Sequence, residues 1–134
     1  MAAMYTLIVE DDFTSRLLLQ TFLARYGECH VAVNGKEALE AFRLAKQNGR
    51  AYDLICMDIM MPEKDGKAAL AEIRGLEEAG GTLSSSGVKV IMITALDDVK
   101  NVVDSFRALC DAYVFKPVDT AQLLGHLKAF ALVP

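Results

Sequence analysis

The chain has 134 residues, 14 basic and 18 acidic, for a net charge of −4. That length suits one domain with a core that stands without staples, and the interspersed charge excludes a nucleic-acid stripe or a polybasic membrane patch. Cys29, Cys56 and Cys110 lack metal-like spacing and read as reduced thiols of a cytosolic protein; there is no signal-peptide pattern, and no apolar run nears the roughly 18 residues of a membrane span.

Residues 4–9 form a predicted first strand, apolar apart from Thr6, that closes on Glu10-Asp11-Asp12. A helix is expected over about residues 14–26, with Leu17, Leu18, Phe22 and Leu23 as its apolar face and Gly27 as its stop. Asp12 is placed to cap it. A short second strand covers 29–33. Asn34-Gly35-Lys36-Glu37 is a capping-box analogue that opens the next helix. That helix turns Ala38, Leu39, Phe42 and Ala45 inward and stops near Asn48-Gly49. The third strand is the apolar run 54–57, ending on Asp58; Pro62 cannot donate to a ladder, so the strand stops before it. Asp65-Gly66 starts a helix, with Asp65 as N-cap, that continues to about Ala79. Residues 80–87, rich in Gly and Ser, read as a loop. A fourth strand over 88–94, a fourth helix over 97–109 and a fifth strand over 112–116 follow, and Pro117 ends the last. Asp119-Thr120-Ala121-Gln122 opens a final helix that reaches nearly to Pro134.

Strand and helix alternate five times, and the strands are too apolar to have a wet face. The expectation is an α/β domain over residues 4–132: a doubly wound, five-stranded parallel sheet of order 2-1-3-4-5 with helices on both faces, the flavodoxin-like arrangement. That order gathers the last residues of four strands, Glu10-Asp11, Asp58, Thr94 and Lys116, at one sheet edge. Neighbouring strands lie about 4.8 Å apart, so carboxylates on the first and third can share one small cation. Oxygen donors alone suggest Mg²⁺ or a similar hard ion. Three carboxylates against one ammonium leave two negative charges, which a divalent cation neutralises; without one, repulsion raises a carboxyl pKa. An ionised carboxylate beside such an ion and a lysine can attack a phosphoryl group in line and become an acyl phosphate. The Thr94 hydroxyl is placed to hydrogen-bond a phosphoryl oxygen.

These motifs resemble those of the response-regulator receiver domains of two-component signalling, the CheY-like family. The matching segments are Val9-Glu10-Asp11-Asp12, Asp58-Ile59-Met60-Met61-Pro62 with Asp65-Gly66, Ile93-Thr94-Ala95 and Tyr113-Val114-Phe115-Lys116-Pro117. The resemblance implies that Asp58 is the phosphoacceptor, Asp11 a direct Mg²⁺ ligand, Glu10 a ligand acting mainly through water, and the Met60 main-chain carbonyl a further ligand. Thr94 and Lys116 would sense the phosphoryl group, and Tyr113 would be an aromatic switch that turns inward as Thr94 moves. The implied donor is a histidine kinase or histidine phosphotransfer protein. The implied output is a protein target bound at the face of the fourth helix, fifth strand and fifth helix, with no direct nucleic-acid or membrane contact. The implied location is cytoplasmic, with no catalysis beyond the domain's own phosphorylation and dephosphorylation.

Met60 and Leu96 depart from the family pattern, which often has polar residues there. Neither side chain can orient water, so slow loss of phosphate is expected. No output domain is evident, which suits either a stand-alone regulator or a receiver taken from a longer protein. Three other readings are weaker. A haloacid-dehalogenase-type phosphatase needs a second Asp where Met60 stands. A flavin or nucleotide carrier needs a glycine-rich loop where Glu10 to Ser15 is acidic. A pseudo-receiver would lack one of the chemical groups.

Overall fold

The computed structural model describes residues 3–59, 66–82, 87–94 and 109–134. Five strands, β1 (Met4–Val9), β2 (Gly27–Ala32), β3 (Leu54–Asp58), β4 (Lys89–Thr94) and β5 (Ala112–Phe115), form one sheet of order β2-β1-β3-β4-β5. Every pairing is parallel. The described helices are α1 (Phe13–Leu23), α2 (Gly35–Gln47), α3 (Gly66–Ala79) and a C-terminal helix (Thr120–Ala129). The expected sheet order is therefore observed. The expected fourth helix up to residue 108, the Asp65 cap, Met60, Leu96 and residues 83–86 lie outside the described residues.

The central strands are buried along their whole length because both sheet faces are covered. Side chains alternate between two cores. Leu7, Val9, Ile55, Met57 and Met92 pack with Phe42, Leu70 and Ile73 beneath α2 and α3. Ile8, Cys56, Ile91, Ile93 and Val114 pack with Leu19, Leu23, Leu123 and Leu127 beneath α1 and the C-terminal helix. Each fully buried aliphatic side chain of this kind contributes roughly 1.5–3 kcal/mol.

Several local expectations are met in detail. The Asn34 side chain accepts from Glu37 N at 2.8 Å, and the Glu37 carboxylate returns to Val33 N at 3.0 Å. Ala38, Leu39, Phe42 and Ala45 are all buried. Asp119 accepts from Ala121 N at 2.9 Å.

Three expectations need correction. The inward face of α1 is Leu19, Phe22 and Leu23, while Leu17 and Leu18 are exposed. Leu19 lies three and four residues ahead of Phe22 and Leu23, the spacing that shares a helix face. Gly27 does not stop α1, which is capped at Ala24, but opens β2. An added Cβ there would fall 1.8 Å from the Met4 carbonyl oxygen, so only glycine allows β2 to meet β1 at that register. The C-terminal helix ends at Ala129, short of the expected reach. Leu132 N donates to Leu127 O and Ala131 N to Lys128 O, each at 3.0 Å, with Ala131 at φ 59°. This is a Schellman stop with alanine in the place glycine usually takes.

Below the sheet, Arg74 of α3 ties together the starts of the two strands that end in Thr94 and Phe115. Its guanidinium donates to Val88 O at 2.8 Å, Leu109 O at 3.0 Å, Glu77 at 2.7 Å and Asp111 at 3.1 Å. Glu77 in turn accepts from Val88 N–H at 2.7 Å and Asp111 from Val90 N–H at 2.8 Å, so the largely buried Arg74–Glu77 pair and its partner are hydrogen-bonded.

Candidate functional site

The parallel strands end together, and their carboxyl ends carry the polar groups. Glu10 follows β1 directly, with its N–H fixed on Ala32 O at 3.0 Å. Its carboxylate is fully buried and accepts from Asp12 N at 3.1 Å. Asp12 itself points away and caps α1, accepting from Ser15 N at 2.8 Å, a bond that holds its carboxyl below the usual range. Asp58 is the last residue of β3 and is 5% exposed. The next residue, Ile59, donates to Ile93 O at 3.1 Å and so fixes the strand end.

Lys116 reaches this pair from the far side. Its Nζ lies 3.2 Å from Asp58 Oδ2, 3.2 Å from Glu10 Oε2 and 3.3 Å from Glu10 Oε1. The Lys116 N–H donates to Thr94 O at 2.7 Å, which seats the lysine beside the buried Thr94, and the Lys116–Pro117 peptide is cis. Oxygen atoms of Glu10, Asp11 and Asp58 fall within 4.8 Å of one another. Asp11 is the exposed member of the three. Glu10, Asp11, Asp58 and Lys116 thus converge as expected, with Thr94 at the adjacent strand end. Tyr113 stands apart on β5, 38% exposed, with its ring 5.6 Å from that of Phe115.

Charge is out of balance in this pocket. Burial, then the hydrogen bond and charge of Asp58, push the Glu10 carboxyl up to about 7, although Asp12 N–H and Lys116 oppose the shift. Burial alone would lower the Lys116 pKa, but Asp58 and Glu10 outweigh it and the net direction is upward. A buried carboxylate pair that a single ammonium does not neutralise, with a third carboxylate at the rim, suits a hard divalent cation.

Two contributors carried little sequence signal. At Gly66, an added Cβ would lie 2.7 Å from the Asp58 carbonyl oxygen and 3.2 Å from Ile59 Cα, so α3 starts hard against the main chain that presents Asp58. Its glycine could be read only as a helix start. Arg16 reaches back from α1 to donate to the Glu10 carbonyl at 3.2 Å, a contact that no spacing rule reveals.

A doubly wound domain with acids and a lysine gathered at the carboxyl strand ends has the frame and polar site of a phosphoryl-handling signalling module. The chain belongs to the response regulator receiver domain family, whose model matches residues 6–128, and is thereby a receiver of two-component signalling. It is 35% identical over 126 residues to a "Probable transcriptional regulator ycf27" of Cyanidium caldarium, covering 93% of this chain and 45% of that one. The chain spans about half the length of such relatives. A co-crystal structure of the Saccharomyces cerevisiae histidine phosphotransfer protein Ypd1 with the receiver domain of the response regulator Ssk1 matches with a TM-score of 0.80 at 25% identity, covering 96% of this chain and 88% of that one. The signal receiver domain of a histidine kinase from Syntrophus aciditrophicus matches at 0.75 and 31% identity, covering 96% and 89%.

Proposed function

We propose that residues 4–132 act as one receiver unit in which Asp58 accepts a phosphoryl group from the phosphohistidine of a histidine kinase or histidine phosphotransfer protein. The observation that carries this reading is Lys116 bridging Asp58 and Glu10 beside Asp11. Asp58 attacks phosphorus through a carboxylate oxygen, the P–N bond to the donor imidazole breaks, and that nitrogen keeps the electron pair and takes a proton from solvent. Lys116 stabilises charge on the transferring oxygens, and the Thr94 hydroxyl donates to one of them. Glu10, Asp11, Asp58 and the Met60 main-chain carbonyl would hold Mg²⁺. When bound, Mg²⁺ neutralises the carboxylates and the phosphoryl oxygens.

The donor has a surface to meet. Phe13 (65% exposed) and Leu17 (50%) leave an apolar stripe on α1 next to the pocket rim. Output passes to a protein target through the face made by the fourth helix, β5 and the C-terminal helix, with Tyr113 as its switch and no direct contact with nucleic acid. The chain catalyses only its own phosphorylation and dephosphorylation, and Met60 and Leu96 slow the latter. No described helix is long and apolar enough to cross a membrane, and the cytoplasm is the proposed location. Intact mass after incubation with acetyl phosphate and Mg²⁺ tests the reading. One phosphate on the parent and none on Asp58→Asn is the expected result; equal adducts, or none on either, reject it.

A further inference from the structure

Of the three clustered carboxylates, two are held from several directions. Glu10 is fixed by Ala32 O, Asp12 N–H and Lys116. Asp58 is fixed by strand pairing and Lys116. Asp11 is different, because it is exposed and sits in the turn between β1 and α1.

Arg16 spans that turn. Its Nη1 lies 3.2 Å from the Glu10 carbonyl oxygen and 3.5 Å from that of Asp11. Its guanidinium carbon stands 5.6 Å from the centre of the Phe13 ring, which restricts where the group can swing. The Arg16 N–H donates to Asp12 O at 2.9 Å, so the same residue begins the helix and clamps the turn that precedes it. Among the described residues its guanidinium donates to main-chain oxygens and pairs with no carboxylate. A cation spent on two consecutive carbonyls sets the path of the backbone.

We propose that Arg16 is a positioning residue for cation binding, holding the β1–α1 turn so that Asp11 presents its carboxylate to the ion beside Glu10 and Asp58. This rests on the receiver-site reading above. The sign of its effect separates it from a plain charge. A cation beside a divalent site repels the ion, so its removal should tighten binding. A residue that orients a ligand does the reverse, and losing such support typically weakens metal affinity 10–100-fold. The flat guanidinium also matters, since it sits by the Phe13 ring while its Nη1 alone reaches both carbonyls, whereas an ammonium is a hydrated point charge on a flexible stem.

The test is a titration with Mg²⁺ alone, read by calorimetry and by the amide resonances of residues 10–12, on the parent, Arg16→Met and Arg16→Lys. Asp53→Ala, which removes the acceptor of the Tyr5 N–H at the opposite sheet edge, controls for general loss of stability. The expected result is binding weakened about tenfold in Arg16→Met and also weakened in Arg16→Lys, with Asp53→Ala like the parent. Parent-like or tighter binding in Arg16→Met overturns the inference, as does a Lys variant indistinguishable from the parent or an equal loss in Asp53→Ala. A parent that takes up no Mg²⁺ overturns the receiver-site reading itself.

Discussion

Replacing Gly66 by alanine puts a methyl group against the main chain that carries Asp58. The new Cβ would stand 2.7 Å from the Asp58 carbonyl oxygen, 3.2 Å from Ile59 Cα and 3.4 Å from Ile59 O. The closest of these is about 0.7 Å inside ordinary van der Waals contact. Backbone cannot rotate aside as a side chain does. Either the start of α3 retreats and stretches the Gly66 N–H bond to Ile59 O, now 3.2 Å, or the end of β3 moves. Overpacking of this kind costs about 1–3 kcal/mol. A shift of several tenths of an ångström at an attacking carboxylate slows an in-line reaction by roughly 10–100-fold. Gly75 in the same helix is the control, since a Cβ there meets nothing within 4 Å. Gly75→Ala should stabilise by about 1 kcal/mol and leave chemistry alone. Urea unfolding and the rate of acetyl-phosphate labelling, followed by intact mass, measure both effects. A Gly66→Ala protein as stable and as fast as Gly75→Ala would refute the reasoning.

Other consequences follow from the site and from two strained spots. Glu10 titrates near 7 in the cation-free protein against an ordinary 4.5, so the folded state holds the extra proton between those values. Stability without cation should therefore fall as pH rises from about 4.5 to 7, whereas Mg²⁺ affinity should rise toward pH 8 as Glu10 gives up its proton; pH-independent Mg²⁺ binding in calorimetry would contradict this. Thr6→Val removes a buried hydroxyl that has no hydrogen-bond partner among the described residues, and should be neutral or stabilising by up to about 1 kcal/mol in urea unfolding. Ala131→Gly should raise stability by about 1 kcal/mol, because alanine at φ 59° carries a penalty that glycine escapes. Met60→Asn should speed loss of phosphate from the phosphorylated protein in Mg²⁺, and a decay rate equal to the parent's would remove any tuning role for Met60.

Most of the fold could be read from period and punctuation. The buried strands announced themselves as apolar runs, and Asn34, Asp119 and Asp12 marked helix starts because a short polar side chain at that point has a specific donor to satisfy. The site followed from topology, since sheet order alone brings the ends of β1, β3, β4 and β5 together. What escaped the sequence was close approach. Gly27 and Gly66 are glycines because another backbone passes where a Cβ would be, and the composition of a turn does not say what passes nearby. The Leu17-Leu18-Leu19 run misled for a related reason. Three leucines in a row cannot share one helix face, and which of them turns inward is decided by the core partners of Phe22 and Leu23.

Glu10 and Lys116 meet across 106 residues of chain, and their contact forms only after β5 has joined the sheet. Such a distant closure is among the slower steps in assembling a parallel fold. A nascent or edge-frayed polypeptide carries Asp58 but no ammonium beside it. On the proposed reading, chemical competence thereby arrives with the last strand, and a half-built molecule is kept from signalling by the want of that lysine.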